Sequence, residues 1–315
     1  MLFSILIANY NNSRYLETAL SSVLDQSYIN WEVILVDDYS TDDFEKVVNT
    51  YKSESRIKVF QNEKNQGCGY TKRRCAELAS GEISGFLDPD DALHPEAIET
   101  MIAAHISKPN CSLIHSTHYV CDDSLTVKRV AEYPRPLPDN TPYLSVSDGR
   151  VHHFATYKTS AYSNTIGISA TNKKAVDQDL YYKLEEEGEI HFIDKPLYYY
   201  RIHTGGISTT GKEAEATLCH YKIIEEACSR RIEKLKSERS PDSAYWIRLY
   251  RTKYHKTKIF HSFKSKSYLN FAYNLALFPF VGGMDNIISY LKKLPVEGYS
   301  LIRKSFFHDY KIKVD

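Results

Sequence analysis

The chain has 315 residues, 42% of them apolar, with 40 basic and 40 acidic side chains that cancel to a formal net charge of zero. That length and apolar content suit one large domain or a medium domain with an appendage, and exclude a disordered chain. Cys68, Cys75, Cys111, Cys121, Cys219 and Cys228 form no CxxC pair and share no spacing, so neither a disulfide framework nor a zinc site is indicated and a reducing compartment fits.

Residues 2–7 follow no basic residue and are cut short by Asn9 and Asn11, so they read as a buried first strand and not as a signal or membrane segment. Residues 5–8 and 31–36 are short, nearly continuous apolar runs, the pattern of strands covered on both faces of a parallel sheet. Between them Tyr15, Leu16, Ala19, Leu20, Val23 and Leu24 recur at helical spacing behind the capping candidates Asn12 and Ser13. Thr41 can cap a second helix that carries Phe44, Val47, Val48 and Tyr51; residues 57–60 form a third strand and 71–79 a third helix. A fourth strand at 83–87, a fourth helix opened by Pro95 and ending near 106, and a fifth strand at 112–120 complete the series. The fold class is α/β, a Rossmann-like domain with a mostly parallel central sheet.

Ligands of such sheets lie outside the carboxyl ends of the strands. Three polar stretches fall there: Asn9-Tyr10-Asn11-Asn12, Asp37-Asp38 and Asp88-Pro89-Asp90-Asp91. The stretch after the first strand contains no glycine and no Walker lysine loop is present, so neither common phosphate cradle is available and a divalent cation is left to neutralise a bound diphosphate. Asp88, Asp90 and Asp91 crowd three carboxylates into four residues; they form either a turn that leads into the next helix or a cation site. Their position facing Asp38 across one sheet edge favours the cation site.

Pro134, Pro136, Pro138 and Pro142 break every period between 122 and 150, which reads as a long surface excursion. A helix resumes at 174–187, with Asp177 near its start, and a short strand follows at 190–193. Asp177 either complements the helix dipole or does chemistry, and Asp179 competes with it for the second role. Tyr198-Tyr199-Tyr200-Arg201-Ile202-His203 leads into Thr204-Gly205-Gly206-Ile207-Ser208, so Arg201 and His203 stand at the root of a glycine loop. From Lys212 the chain reads as helical and basic: residues 1–211 carry net −9 and 212–315 net +9. That tail either packs on the rest of the chain or rests on anionic lipid; no nucleic-acid motif accompanies the charge.

Four blocks resemble the family 2 glycosyltransferases of the GT-A type fold, which build bacterial surface polysaccharides from nucleotide sugars. Phe3-Ser4-Ile5-Leu6-Ile7-Ala8-Asn9-Tyr10-Asn11 is similar to the family's opening strand and Tyr-Asn turn, with Ala8 where proline is usual. Val36-Asp37-Asp38-Tyr39-Ser40-Thr41-Asp42 resembles its paired-Asp block. Asn65-Gln66-Gly67, through Gly81-Glu82 to Leu87-Asp88-Pro89-Asp90-Asp91, resembles its diphosphate and metal block. Val176-Asp177-Gln178-Asp179-Leu180 with Tyr199-Tyr200-Arg201-Ile202-His203 resembles its base and Tyr-Arg-x-His motifs. The match covers residues 1 to about 208.

The resemblance implies an inverting, metal-dependent transfer from a nucleoside diphosphate sugar, UDP-linked, to a hydroxyl of a saccharide or lipid-linked saccharide. Asp177 would be the catalytic base. Ala8, Asn9, Tyr10 and Asp38 would contact the nucleotide, joined by Asn65, Gly67 and Lys72 from the third block and by Asp88, Pro89 and Arg201. Asp90 would bind Mn2+ or Mg2+, with His203 closing the coordination. The GT-A domain would span 1–211, with a nucleotide-sugar half to about 121 and an acceptor half from 122, followed by a basic helical region at 212–315. The enzyme would be cytoplasmic, with peripheral contact to the inner face of the cytoplasmic membrane through 212–315, and would bind no nucleic acid. Two departures stand out: Lys72 replaces an arginine, which keeps charge and loses the forked geometry, and Val176 replaces the acid that commonly precedes the base. A sugar nucleotidyltransferase and a non-catalytic nucleotide-sugar binder remain as alternatives.

Overall fold

The first apolar run is buried almost throughout as β1 (Phe3–Asn9), inside a mixed sheet of a computed structural model that describes residues 1–204 and 213–281. After it come α1 (Ser13–Leu24), β2 (Trp31–Asp37), α2 (Phe44–Asn49), β3 (Ile57–Gln61), α3 (Cys68–Leu78) and β4 (Ile83–Phe86). β2 pairs with β1 and β3, and β1 with β4, all in parallel. Most of the helical stripe read in the sequence is the buried face of α1: Leu16, Ala19, Leu20 and Val23 pack with Phe3, Ile5, Ile7, Val33 and Leu35 at or near zero exposure, whereas Leu24, at the end of the helix, is 40% exposed. Burying each such side chain contributes roughly 1.5–3 kcal/mol, and this face anchors the first strands of the sheet.

Beyond β4 the sheet changes character. β5 (Ala92–Leu93), α4 (Ala97–Ser107), β6 (Cys111–Cys121), β7 (Val127–Val130), α5 (Tyr143–Val146), β8 (Ala155–Lys158), α6 (Thr159–Asn164), α7 (Val176–Leu184) and β9 (Glu189–Arg201) follow in order. The strand order is β3-β2-β1-β4-β8-β6-β9-β5, with β7 on β6. β8 lies between β4 and β6 and is antiparallel to both, β5 is antiparallel to β9, and only β6 and β9 run in parallel here. The expected mostly parallel sheet therefore holds for its first four strands and gives way to a mixed arrangement, because the chain re-enters the sheet at β8 running the opposite way.

Four sequence expectations shift; in the first, α4 begins at Ala97 behind Glu96 at the cap, so Pro95 stands before the helix and does not open it. Asp43, and not Thr41, stands at the cap position of α2, while the Thr41 amide donates to Asn11 Oδ1 at 2.8 Å. The short strand at 190–193 is part of the 13-residue β9. The proline-rich excursion is not wholly at the surface: Tyr143, Leu144 and Val151 are fully buried, and Glu185 accepts hydrogen bonds from the Tyr143 and Leu144 amides. A carboxylate at the far end of α7 thus pins the part of the excursion that follows β7.

Residues 1–213 form one compact unit and 214–315 a second. Within the second, α8 (Glu213–Glu238) and α9 (Ser243–Lys264) are joined by Arg231 donating to the Tyr250 hydroxyl at 3.1 Å and by His261 on Glu225 at 2.6 Å. α10 (Tyr268–Val281) meets α9 through Phe263 and Phe271, ring centroids 5.4 Å apart. Among the described residues no helix is long and apolar enough to cross a membrane. The glycine loop from Gly205 and the chain from Gly282 lie outside the described residues.

Candidate active site

The carboxyl ends of β1, β2 and β4 bring the three polar stretches together, but the acids among them are not equivalent. Asp37 at the end of β2 is fully buried and saturated: Asn9 donates to it at 2.8 Å, the Ser40 amide at 2.9 Å and Gln61 at 3.1 Å. Asp38 is saturated too. Its carboxylate accepts from Asn62 at 2.6 Å and from the Gln66 and Gly67 amides, both at 2.8 Å, and it is 3% exposed. Gly67 adopts φ +90°, a region that L side chains rarely enter, and this presents its amide to Asp38 as α3 begins. Asn9 and Asp38 therefore shape the rim, while Tyr10 (46% exposed) and Asn65 reach solvent around it.

A second group lies between α3, the β4–β5 turn and α7. Lys72 on α3 sends its ammonium 3.1 Å from Asp88 Oδ1 and 2.8 Å from Asp177 Oδ1. The lysine side chain is 7% exposed, whereas the two carboxylates keep 29% and 32% of their surface. Burial alone would lower the lysine pKa, but the Asp177 and Asp88 charges outweigh it and hold the ammonium well above its usual range. Burial likewise opposes ionisation of Asp88, and Lys72 with His153, 3.7 Å away, reverses this so that its pKa falls. Asp88 is thus held in its charged form beside one buried cation, which Asp177 of a different element also contacts. Asp179 resolves differently: it forms a buried pair with Lys183 at 2.6 Å, one helical turn on. Val176 is 3% exposed and packs inward.

A third group joins the β4–β5 turn to the end of β9. Asp90 Oδ2 stands 2.9 Å from His203 Nε2. Asp91 is 2% exposed and accepts from the Tyr198 hydroxyl at 2.8 Å and the Arg201 amide at 2.7 Å. Burial and the neighbouring Asp90 and Asp88 charges push the Asp91 pKa well up, so it is the acid least suited to face a cation. The Arg201 guanidinium donates to the Asp90 carbonyl at 2.6 Å and to the Asp123 carbonyl, and lies over the Tyr15 ring at 4.5 Å. Arg201 therefore ties two backbone segments together and packs on the Tyr15 ring. Ala8, next to last in β1, is half-buried, and Pro89 is buried inside the turn. Sequence reasoning misses Tyr15, Asp123, His153 and Tyr198 as parts of the site; of these only Tyr198, inside the tyrosine run, carries any local signal.

Among the described residues no cluster of three or more His, Cys, Asp or Glu side chains is arranged to hold a metal by itself. One carboxylate and one imidazole, Asp90 and His203, do face each other. Such a pair suits a hard cation that takes its other ligands from phosphate oxygens and water, the usual arrangement where the ion serves a bound diphosphate.

A partly parallel sheet with acids at its carboxyl edge, backed by a long returning strand, defines the GT-A type of α/β fold. The chain belongs to Glycosyl transferase family 2, whose profile matches residues 4–166, just over half of its length. It is 29% identical over 231 residues to a chondroitin synthase of Escherichia coli; the match covers 73% of this chain and 33% of that one, so the chain spans about a third of this curated relative. Two solved structures share the fold at lower identity. S. aureus TarS 1–349 in complex with UDP-GlcNAc superposes with a TM-score of 0.58 at 18% identity, covering 90% of each chain. The mannosyltransferase PcManGT of Pyrobaculum calidifontis, in complex with GDP-Man and Mn2+, gives 0.55 at 16% identity, covering 96% of this chain and 82% of that one.

Proposed function

We propose that the protein is an inverting glycosyltransferase that moves a sugar from a UDP-sugar to a hydroxyl of a saccharide or lipid-linked saccharide in surface polysaccharide synthesis. The observation that carries this reading is the approach of Asp177, on the acceptor side, to within one ammonium of Asp88 on the donor side. That brings a candidate base and a candidate nucleotide contact to one site, where an anomeric carbon and its leaving diphosphate can meet them. The UDP-GlcNAc complex of TarS and the chondroitin synthase relative support the donor and product class.

Asp177 accepts the proton of the acceptor hydroxyl as its oxygen bonds to the anomeric carbon, and the bond from that carbon to the diphosphate oxygen breaks on the opposite face. The configuration at carbon inverts in a single displacement. Asp90 and His203 would hold Mn2+ or Mg2+, which supplies positive charge to the departing diphosphate. Lys72 adds a second cation beside it. Asp37, Asn9 and Asp38 act by fixing the rim on which base and ribose rest, and Arg201 by holding the turn that presents Asp88 and Asp90. The basic 212–315 region suits the cytoplasmic face of a membrane, where lipid-linked acceptors lie.

A panel of nucleotide sugars tests the reading. One UDP-sugar should raise the melting temperature in the presence of Mn2+ and be slowly hydrolysed without acceptor, with EDTA abolishing both effects. No stabilisation and no hydrolysis by any nucleotide sugar would sink the proposal; stabilisation without turnover, even with saccharide acceptors added, would favour the non-catalytic binder.

A further inference from the structure

Among the described residues of the site, Lys72 stands out because both of its ionic partners keep surface open to solvent. The other cations of α3 are engaged elsewhere: Arg73 pairs with Glu77 at 2.7 Å and donates to the Ile168 carbonyl, and Arg74 donates to the Gln61 carbonyl and Asn62 Oδ1. Arg201 donates Nε and Nη1 to backbone carbonyls, with Nη2 buried and without a hydrogen-bond partner among the described residues. The ion pairs of Lys72 are with groups that carry the same kind of charge as a phosphate, and both of those carboxylates open towards solvent while the ammonium does not. A lysine has a compact charge on a rotatable stem, so it can change partners; an arginine fork would grip one carboxylate with two bonds.

We propose that Lys72 is a positioning residue through which the donor diphosphate and Asp177 compete for a single ammonium, so that binding of the donor and freeing of Asp177 for the acceptor hydroxyl are thermodynamically linked. The inference rests on the reading of Asp177 as the acceptor-side base. Whatever the diphosphate gains from Lys72, Asp177 loses by the same factor, because coupling between two ligands of one group is reciprocal. Donor-first order follows from that exchange: the carboxylate that would attack the acceptor proton is held in an ion pair until the diphosphate draws the ammonium away. The lysine that departs from the family's arginine then has a function, since a group able to let go is what such an exchange requires.

The test is a four-protein cycle on the full chain: wild type, Asp177→Asn, Lys72→Met and the double variant, titrated calorimetrically with UDP and with GDP at fixed Mn2+. Asp177→Asn should bind the nucleoside diphosphate about fivefold or more tighter than wild type, and the gain should vanish in the Lys72→Met background. Unchanged or weaker binding by Asp177→Asn overturns the proposal. So does a gain that survives Lys72→Met, since it would then arise from simple repulsion through space. If Lys72→Met does not fold, Lys72→Gln, which also removes the charge, replaces it: the gain should again vanish, and an undiminished gain counts against the coupling. Failure of the base reading is seen separately, as near-normal transfer by Asp177→Asn. If neither UDP nor GDP binds the wild type, the donor reading falls and this proposal with it.

Discussion

Asp177 and Asp179 stand two residues apart at the start of α7, and their partners separate them. Asp179 and Lys183 are 5% and 4% exposed and pair with each other, with the lysine also donating to the Gly167 carbonyl at 2.8 Å. Asp179→Ala should therefore cost about 3–5 kcal/mol of stability by stranding a buried ammonium, read as a fall in the urea midpoint. Asp177→Asn should cost less than that, because Asp88 stays on Lys72, while lowering transfer by roughly 10²–10⁴-fold at saturating donor, measured by product formation. If the two phenotypes were exchanged, Asp179 would be the base. The sequence makes both acids visible through their place at a helix start, but the choice between them depends on a lysine one turn away that the pattern of apolar residues does not flag. Asp38 shows the opposite case: its motif is legible, and its saturation by Asn62 and two loop amides is not.

At the scale of elements, α3 is held against the 169–172 segment by a missing side chain. A Cβ on Gly69 would lie 2.4 Å from the Ser169 and Asn172 carbonyl oxygens, both backbone, and neither can swing aside. Gly69→Ala should push α3 off this segment, displace Lys72, and cost on the order of 1–3 kcal/mol; an unshifted melting temperature would show that the contact is slack. β2 carries a different constraint, hidden in what reads as an apolar run. Glu32 is 4% exposed and accepts from Ser4, Lys58 and the Ser80 amide, each at 2.7 Å. Burial would raise its pKa, but the Lys58, Ser4 and Ser80 bonds hold it at about 2 against an ordinary 4.5. A depressed carboxyl stabilises the fold above pH 4.5 and loses that contribution as pH falls towards 2. Urea unfolding from about pH 5 down to about pH 2 should show this fall in wild type and a flatter curve in Glu32→Gln; parallel curves would exclude Glu32 as its source. The strands and helices of the first half are legible because their periods are long and clean. β8 is not, since four residues between a proline-rich loop and a short helix carry no period of their own.

The whole molecule divides its charge as well as its fold. Net +9 on residues 212–315 against −9 before them leaves the second compact unit as the basic part of a neutral protein. On α10, Leu269, Tyr273 and Phe280 are 89%, 64% and 76% exposed. If this unit meets a membrane, the full chain should sediment with phosphatidylglycerol vesicles at low salt and be released by about 0.5 M salt, where the Debye length drops to a few ångströms. Recovery in the supernatant at low salt would rule that contact out. Bulk charge asymmetry is open to reading from the sequence, which places the change of character at 211/212, while the contacts within each unit divide the chain at 213/214.

β9 has a consequence for how the protein comes into being. Its far end supplies the Tyr198 hydroxyl and Arg201 amide that hold Asp91, and its flank pairs with both β5 and β6. The acids after β4 are translated more than a hundred residues before the strand that sets them in place, so a nascent chain leaves the ribosome with its donor edge unfinished. Contacts of such long sequence separation form late and slowly. A fragment of residues 1–121 should accordingly fail to bind nucleotide when made alone, and recover binding when residues 122–213 are supplied as a second polypeptide. Full nucleotide affinity in the isolated fragment would mean that the edge assembles without its last strand.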